Sequence, residues 1–254
     1  MLFPVKMEEQ PAFQNPRKPT PWGNYLKEFL MLFLAISLGF FVENLREDVA
    51  ERQQEKEYIQ SYLEDLKTDS ANLTQVIESF EKGNRRKDTI ISMFQKLKAG
   101  YNDTVWRNFL VVRKFPDFIY TDRTMQQLKN AGGMRLITNR DAANGIISYD
   151  SEVKLLNVDV DYLSITMHDL DKVWMELVDE ASIEECRITN TLTESGKDGK
   201  SFLLSQDKVR LGILNNTIRR FRYVSELVKN KEKKLLEHAI LLKQLLQKEY
   251  KTLN

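Results

Sequence analysis

The longest unbroken apolar stretch of the chain is FLMLFLAISLGFFV at residues 29–42, and it carries no charge. As a helix it presents apolar side chains on every face, whereas a helix on a domain surface shows only a stripe. This pattern predicts a helix whose solvent is not water. The run alone is short of the roughly 20 residues that cross a bilayer. Extending it to 22–45 adds Tyr25, Leu26 and Leu45, while Trp22 and Tyr25 suit the headgroup level and Lys27 can reach toward water. A cleaved signal peptide is the first rival, but the chain lacks its compact basic start, and the small pair Ala35 and Ser37 lies inside the run. A buried core helix, the second rival, would show a stripe. The reading is an uncleaved signal anchor at 22–45.

Beyond the anchor the pattern becomes two-sided. No proline or glycine falls between Val42 and Gly83, so the same helix is expected to continue to about Lys82. Its apolar positions alternate by threes and fours through Ile59, Leu63, Leu66, Ser70, Leu73, Ile77 and Phe80. The seam lapses at Arg52 and Lys56, leaving a charged stalk outside the membrane. A second seam runs through Ile146, Tyr149, Val153, Leu156, Val160, Leu163, Met167, Leu170, Trp174, Leu177 and Ala181. It predicts a helix capped by Asn139, with Asp141 in its first turn and its end near Ile188. Gly145 is a weak point inside it.

Residues 190–204 read as a loop. A last helix, capped by Ser205 and reaching Tyr250, carries Leu211, Leu214, Ile218, Phe221, Ser225, Val228, Leu235, Ala239, Leu242 and Leu246, with Glu232 breaking the row. The two long helices, each about 70 Å, are expected to form an antiparallel hairpin. Between the anchor helix and this hairpin, helices are predicted at 85–99, 103–113 and 122–131, the last capped by Thr121 and ended by Gly132 and Gly133. Residues 115–120 come nearest to a strand, and Pro116 argues against it. The fold class is all-α: one N-terminal transmembrane helix continuing into an elongated antiparallel helical bundle that occupies 46–254.

Composition adds a tail and removes a partner class. Five of the 6 prolines precede the apolar run, so 1–21 is expected to be a disordered proline-rich tail. The formal net charge is +1, with 38 basic and 37 acidic residues, which argues against nucleic acid as a partner. Arg219, Arg220 and Arg222 around Phe221 are therefore expected to meet Asp159, Asp161, Asp169 or Asp171 across the hairpin, and Arg85-Arg86-Lys87 to face water. Cys186 is the single cysteine, so no intrachain disulfide forms. Basic residues flank the anchor evenly, with Arg17, Lys18 and Lys27 before it and Arg46, Arg52 and Lys56 after it. A single early anchor followed by a large domain places the tail in the cytoplasm and the bulk in the periplasm.

Candidate chemistry is sparse. GKDGKS at 196–201 has Glu194 where a phosphate-binding loop needs its first glycine. Ser205 and Lys208 have serine-x-x-lysine spacing without the companion motifs. His168 beside Asp169 and Asp171, and His238, do not assemble a ligand set from adjacent helix positions. No catalytic residue, metal ligand or cofactor is assigned. One patch exceeds a two-sided helix: AILL at 239–242, with Leu235, Leu236, Leu245 and Leu246 around it. It calls for burial at the bundle centre, the preferred reading, or against another chain, with Ile240, Leu241 and Leu245 as the partner-binding candidates.

YLKEFLMLFLAISLGFFVENLRE, then YIQSYLEDLKTD, and MQQLKNAGGMRLITN before a long helix resemble an uncharacterised family of single-pass membrane proteins from Bacteroidota. The resemblance implies a bacterial inner-membrane anchor and a helical extracytoplasmic domain, and it carries no reaction. The leading expectation is a membrane-anchored scaffold or envelope-complex subunit that binds a protein partner or a second copy. The alternative is an extracytoplasmic small-ligand sensor, which needs a separate signalling partner because 1–21 has no room for an output domain. An enzyme ranks last.

Overall fold

The computed structural model describes residues 22–94, 108, 112–181, 184 and 203–250. These residues form an all-α structure: α1 (Trp22–Ser92), α2 (Arg123–Asn130), a 3-10 turn (Gly133–Leu136), α3 (Arg140–Leu177) and α4 (Lys208–Glu249). Among the described residues the only β pairing is an isolated antiparallel bridge between Val178 and Leu203. Residues 115–120 are irregular rather than extended in a sheet. The tail at 1–21, Cys186 and GKDGKS lie outside the described residues, as does most of the helix expected at 103–113.

The chain divides into two units after Glu51. In the first, the large apolar side chains of α1 are exposed. The Phe29 and Phe33 rings stack one turn apart at 6.2 Å between centroids, and the Arg46 guanidinium donates to the Glu43 carboxylate. Both contacts lie within the helix itself.

In the second unit the rest of α1 is two-sided. Ile59, Leu66, Leu73, Ile77 and Phe80 are buried along the expected seam, with Leu63 and Ser70 half-buried. The helix does not stop near Lys82. It passes through Gly83 to Ser92, so the separate helix expected from 85 is its continuation. A mid-helix glycine costs about 1 kcal/mol against alanine. Burial of Ile90, about two turns further on, offsets that cost, since burying an isoleucine side chain contributes about 1.5–3 kcal/mol.

α3 and α4 are shorter than expected, about 57 and 63 Å at 1.5 Å per residue, and they run antiparallel. Cross-helix pairs fix that direction: Asp169 meets Arg220, Asp159 meets Lys231 and Glu152 meets His238. Between α1 and α4, Asp88 meets Arg222, Glu81 meets Lys233 and Glu55 meets Tyr250, so α4 is antiparallel to both partners. Gly145 is a contact rather than a weakness: a Cβ there would come within 2.7 Å of Leu242 Cδ1. The absence of a side chain lets the two helices approach at that point.

The ends of the helices follow their chemistry, with three corrections. Asn139 caps α3 as expected, its side chain accepting from the Ala142 N–H at 2.9 Å. α3 stops at Leu177, however, because Val178 takes an extended conformation and the Leu177 carbonyl accepts from the Leu204 N–H instead. α4 is capped by Asp207, which accepts from the Arg210 N–H at 2.8 Å, while Ser205 accepts from Asp207. α2 begins after Asp122 rather than Thr121 and has no local side-chain cap; the Thr121 N–H bonds to Asp69. Beyond α2, Gly132 supplies the left-handed turn, with φ +67°.

Candidate functional site

The sequence candidates sort into an exposed apolar helix, a buried polar seam and exposed patches on the hairpin. In the first unit Trp22, Tyr25 and the large apolar side chains at 26–45 are exposed, and Lys27 is exposed beside them. Within α1 the most apolar 18-residue window has a mean hydropathy of 1.8 and none of it is buried. By length and composition this helix is long and apolar enough to cross a membrane.

The polar seam lies on α1 beside the apolar one. Glu55, Asp65 and Asp69 are buried, and each carboxylate holds the connection between α1 and α3. Glu55 accepts from the Thr138 N–H at 2.7 Å and from the Tyr250 hydroxyl at 2.6 Å. Asp65 accepts from Arg123 Nε at 2.8 Å and from the Thr124 N–H at 3.1 Å. That second bond satisfies an orphan donor in the first turn of α2, so α1 supplies the cap that the local sequence does not. Asp69 accepts from the Thr121 N–H and from the Tyr149 hydroxyl. Burial pushes its carboxyl up to about 6 against the opposing pull of those bonds. Across the connection, Asp150 holds both Lys129 and Lys154, and these bonds keep its carboxyl below the usual range despite burial.

Two further charges sit in the core where charge was not expected. Lys87 is only 1% exposed, correcting the expectation that Arg85, Arg86 and Lys87 all face water; the two arginines do. Its ammonium lies 4.4 Å from the Phe221 ring centroid and donates to Asn84 and Ser225 at 3.3 Å. Burial, with the Arg222 charge adding, pushes it down to about 7. Ser225 is itself fully buried and donates to the Phe221 carbonyl, so this serine–lysine pair has no route to a substrate. Glu232 does not break the α4 seam; it occupies it at 0% exposure. Neither carboxylate oxygen has a hydrogen-bond partner, and burial, with the Asp117 charge adding, pushes the group up to about 8.

The remaining candidates are dispersed. His238 pairs with Glu152 at 2.9 Å and lies edge-on to Tyr149, whereas His168 borders an open groove with Ile165 and Met175. Asp169 and Asp171 beside it are engaged by Arg220 and Arg113. Among the described residues no group of three or more His, Cys, Asp or Glu side chains is placed to hold a metal ion. Of the arginines around Phe221, Arg220 makes the expected bridge to α3, but Arg222 turns to α1 and forms a two-pronged pair with Asp88. The AILL patch is split rather than centrally buried: Ala239 and Leu242 face the core, while Ile240 is 44% and Leu241 63% exposed. Leu245 is half-buried against the core.

Glu55, Asp65, Asp69 and Lys87 were not singled out from the sequence as buried groups. Their placement at three- and four-residue steps beside the apolar seam was the available signal, but charges next to a seam are ordinarily solvated. No family model, curated protein or solved structure matches the chain.

Proposed function

We propose that the chain is a membrane-anchored helical scaffold, or a subunit of an envelope protein complex, that works through protein contacts. The observation that carries this reading is the exposure of the large apolar side chains at 26–45, set beside a second unit whose buried Glu55, Asp65 and Asp69 bond to its own chain. Exposing that much apolar surface to water is costly at about 25 cal/mol per Å², and a bilayer removes the cost. In this reading 22–45 crosses the bacterial inner membrane once, Trp22, Tyr25 and Lys27 sit at the interface, and the helical unit is periplasmic. The buried carboxylates act structurally, fastening the connection to α1.

Membrane flotation of the full chain tests the anchor: the intact protein is expected to float with vesicles and a chain lacking 22–45 to remain in the soluble fraction. Equal behaviour of the two sinks the anchor. Cross-linking in the native membrane followed by mass spectrometry tests the scaffold, with one stoichiometric protein expected, a second copy included. Recovery of only monomer, together with a metabolite bound to the purified protein, would favour the ligand-sensor reading instead.

A further inference from the structure

α3 carries a second row at three- and four-residue steps on its outer side: Leu155, Val158, Tyr162 and Ile165. All are exposed, Leu155 and Val158 at 66% and 65%. The row is bounded by Ser148 and Ser151 at one end and Asp169 and Lys172 at the other, so its apolar part spans about two heptads. α4 widens it. Arg220 reaches across the hairpin to Asp169 at 3.0 Å and to the Tyr162 hydroxyl at 3.3 Å, which places its side of α4 along the border of the row. Tyr223 and Leu227, three and seven residues further on, follow on that side and are also exposed. Lys231 closes the border on Asp159.

The patch exposes on the order of 600 Å² per chain, the upper end for a lone monomer. Two such patches face to face bury about 1,200 Å², where specific interfaces begin. Its composition, two tyrosines and four aliphatics inside a polar rim, is that of an interface centre.

We infer that a second copy of this chain docks on this face, hairpin against hairpin, through a twofold-symmetric contact. A row at heptad spacing is fitted by a helix with the same spacing, and twofold symmetry supplies one from the copy. Much of the rim charge is already neutralised within the chain, in the pairs Arg220–Asp169, Lys231–Asp159 and Lys154–Asp150. A net charge of +1 leaves little repulsion between copies. This deepens the scaffold reading by naming its partner, and it does not depend on which membrane face the unit occupies.

The test uses the full chain in detergent micelles, by sedimentation velocity, with circular dichroism to confirm folding. The chain is expected to dimerise, and Val158→Asp and Ile165→Asp to weaken the dimer at least about tenfold with unchanged helicity, since both side chains are exposed. In a Cys186→Ser background, Val158→Cys is expected to be captured as a dimer by a short bismaleimide and Lys67→Cys, exposed on α1, not to be. A monomer at about 100 μM overturns the inference, as does a dimer that Val158→Asp leaves intact but substitutions at Phe33 or Gly39 dissolve. Loss of a different bound protein on Val158→Asp, without change in self-association, assigns the face to that protein and also overturns it. A chain that floats with vesicles yet stays monomeric fails here alone; one that dimerises but does not float fails the anchor alone.

Discussion

The two parts of α1 have the same backbone and opposite relations to their surroundings. In the first unit the large side chains of 29–42 are apolar on every face and exposed, whereas in the second unit Ile59, Leu66, Leu73, Phe80 and Ile90 are buried with polar residues between them. The difference teaches that helix formation is local while burial is not. Both segments satisfy their backbone through i to i−4 bonds, but among the described residues only the two-sided one has its apolar face removed from water.

Three substitutions probe that contrast. Trp174→Ala, in the fully buried core of the second unit, is expected to cost about 3–5 kcal/mol in denaturant unfolding followed by circular dichroism. Phe33→Ala, in the exposed part of α1, is expected to shift the same curve by less than about 0.5 kcal/mol. Equal costs would mean that the apolar segment also belongs to a core. Leu34→Arg is expected to oppose membrane insertion by about 2.5–3.5 kcal/mol, measured as the fraction inserted in a translocation assay, if 22–45 crosses the bilayer. Unchanged insertion would break the contrast from the other side.

Glu232→Gln sharpens what burial does to charge. The folded protein holds the Glu232 proton up to about 8, above the usual glutamate value near 4.5, so between these values the folded state binds a proton that the unfolded state has released. Wild-type stability should therefore fall as pH rises across that window and level off above it. The glutamine variant should lack this fall and gain on the wild type toward pH 8 by a few kcal/mol, about 1.4 for every tenfold difference in proton affinity between the folded and unfolded states. Lys87 acts oppositely: its folded value near 7 lies below the usual 10.5, so stability should rise with pH between them. Lys87→Met should remove that rise. A small effect is also expected at the hairpin surface, where Arg220→Ala should cost under about 1 kcal/mol because the Arg220–Asp169 pair is solvent-screened.

Much of the fold was legible in the sequence because a repeating pattern is a local property. The α3 and α4 seams, the Asn139 cap and the all-α class follow from spacing alone, and the structure places them as expected. What spacing misjudged involves competition between local and distant partners. Thr121 has a capping side chain, yet Asp65 from α1 satisfies the first turn of α2 and Thr121 gives its N–H to Asp69. The α3 seam continues in register past Leu177, yet pairing with Leu203 ends the helix there. Gly83 looked like a boundary, and the burial of Ile90 beyond it carried the helix through. Glu232 looked like a break in its seam and Lys87 like a solvated charge, yet both are buried.

The sequence by itself determined where apolar side chains recur and therefore which segments are helices, which helix is apolar on every face and which are two-sided. These are properties of neighbours three and four residues apart. Only the tertiary structure decided which charges enter the core, which carboxylate caps which helix and where α3 ends. Those choices depend on desolvation and on partners tens of residues away, and a linear pattern carries neither.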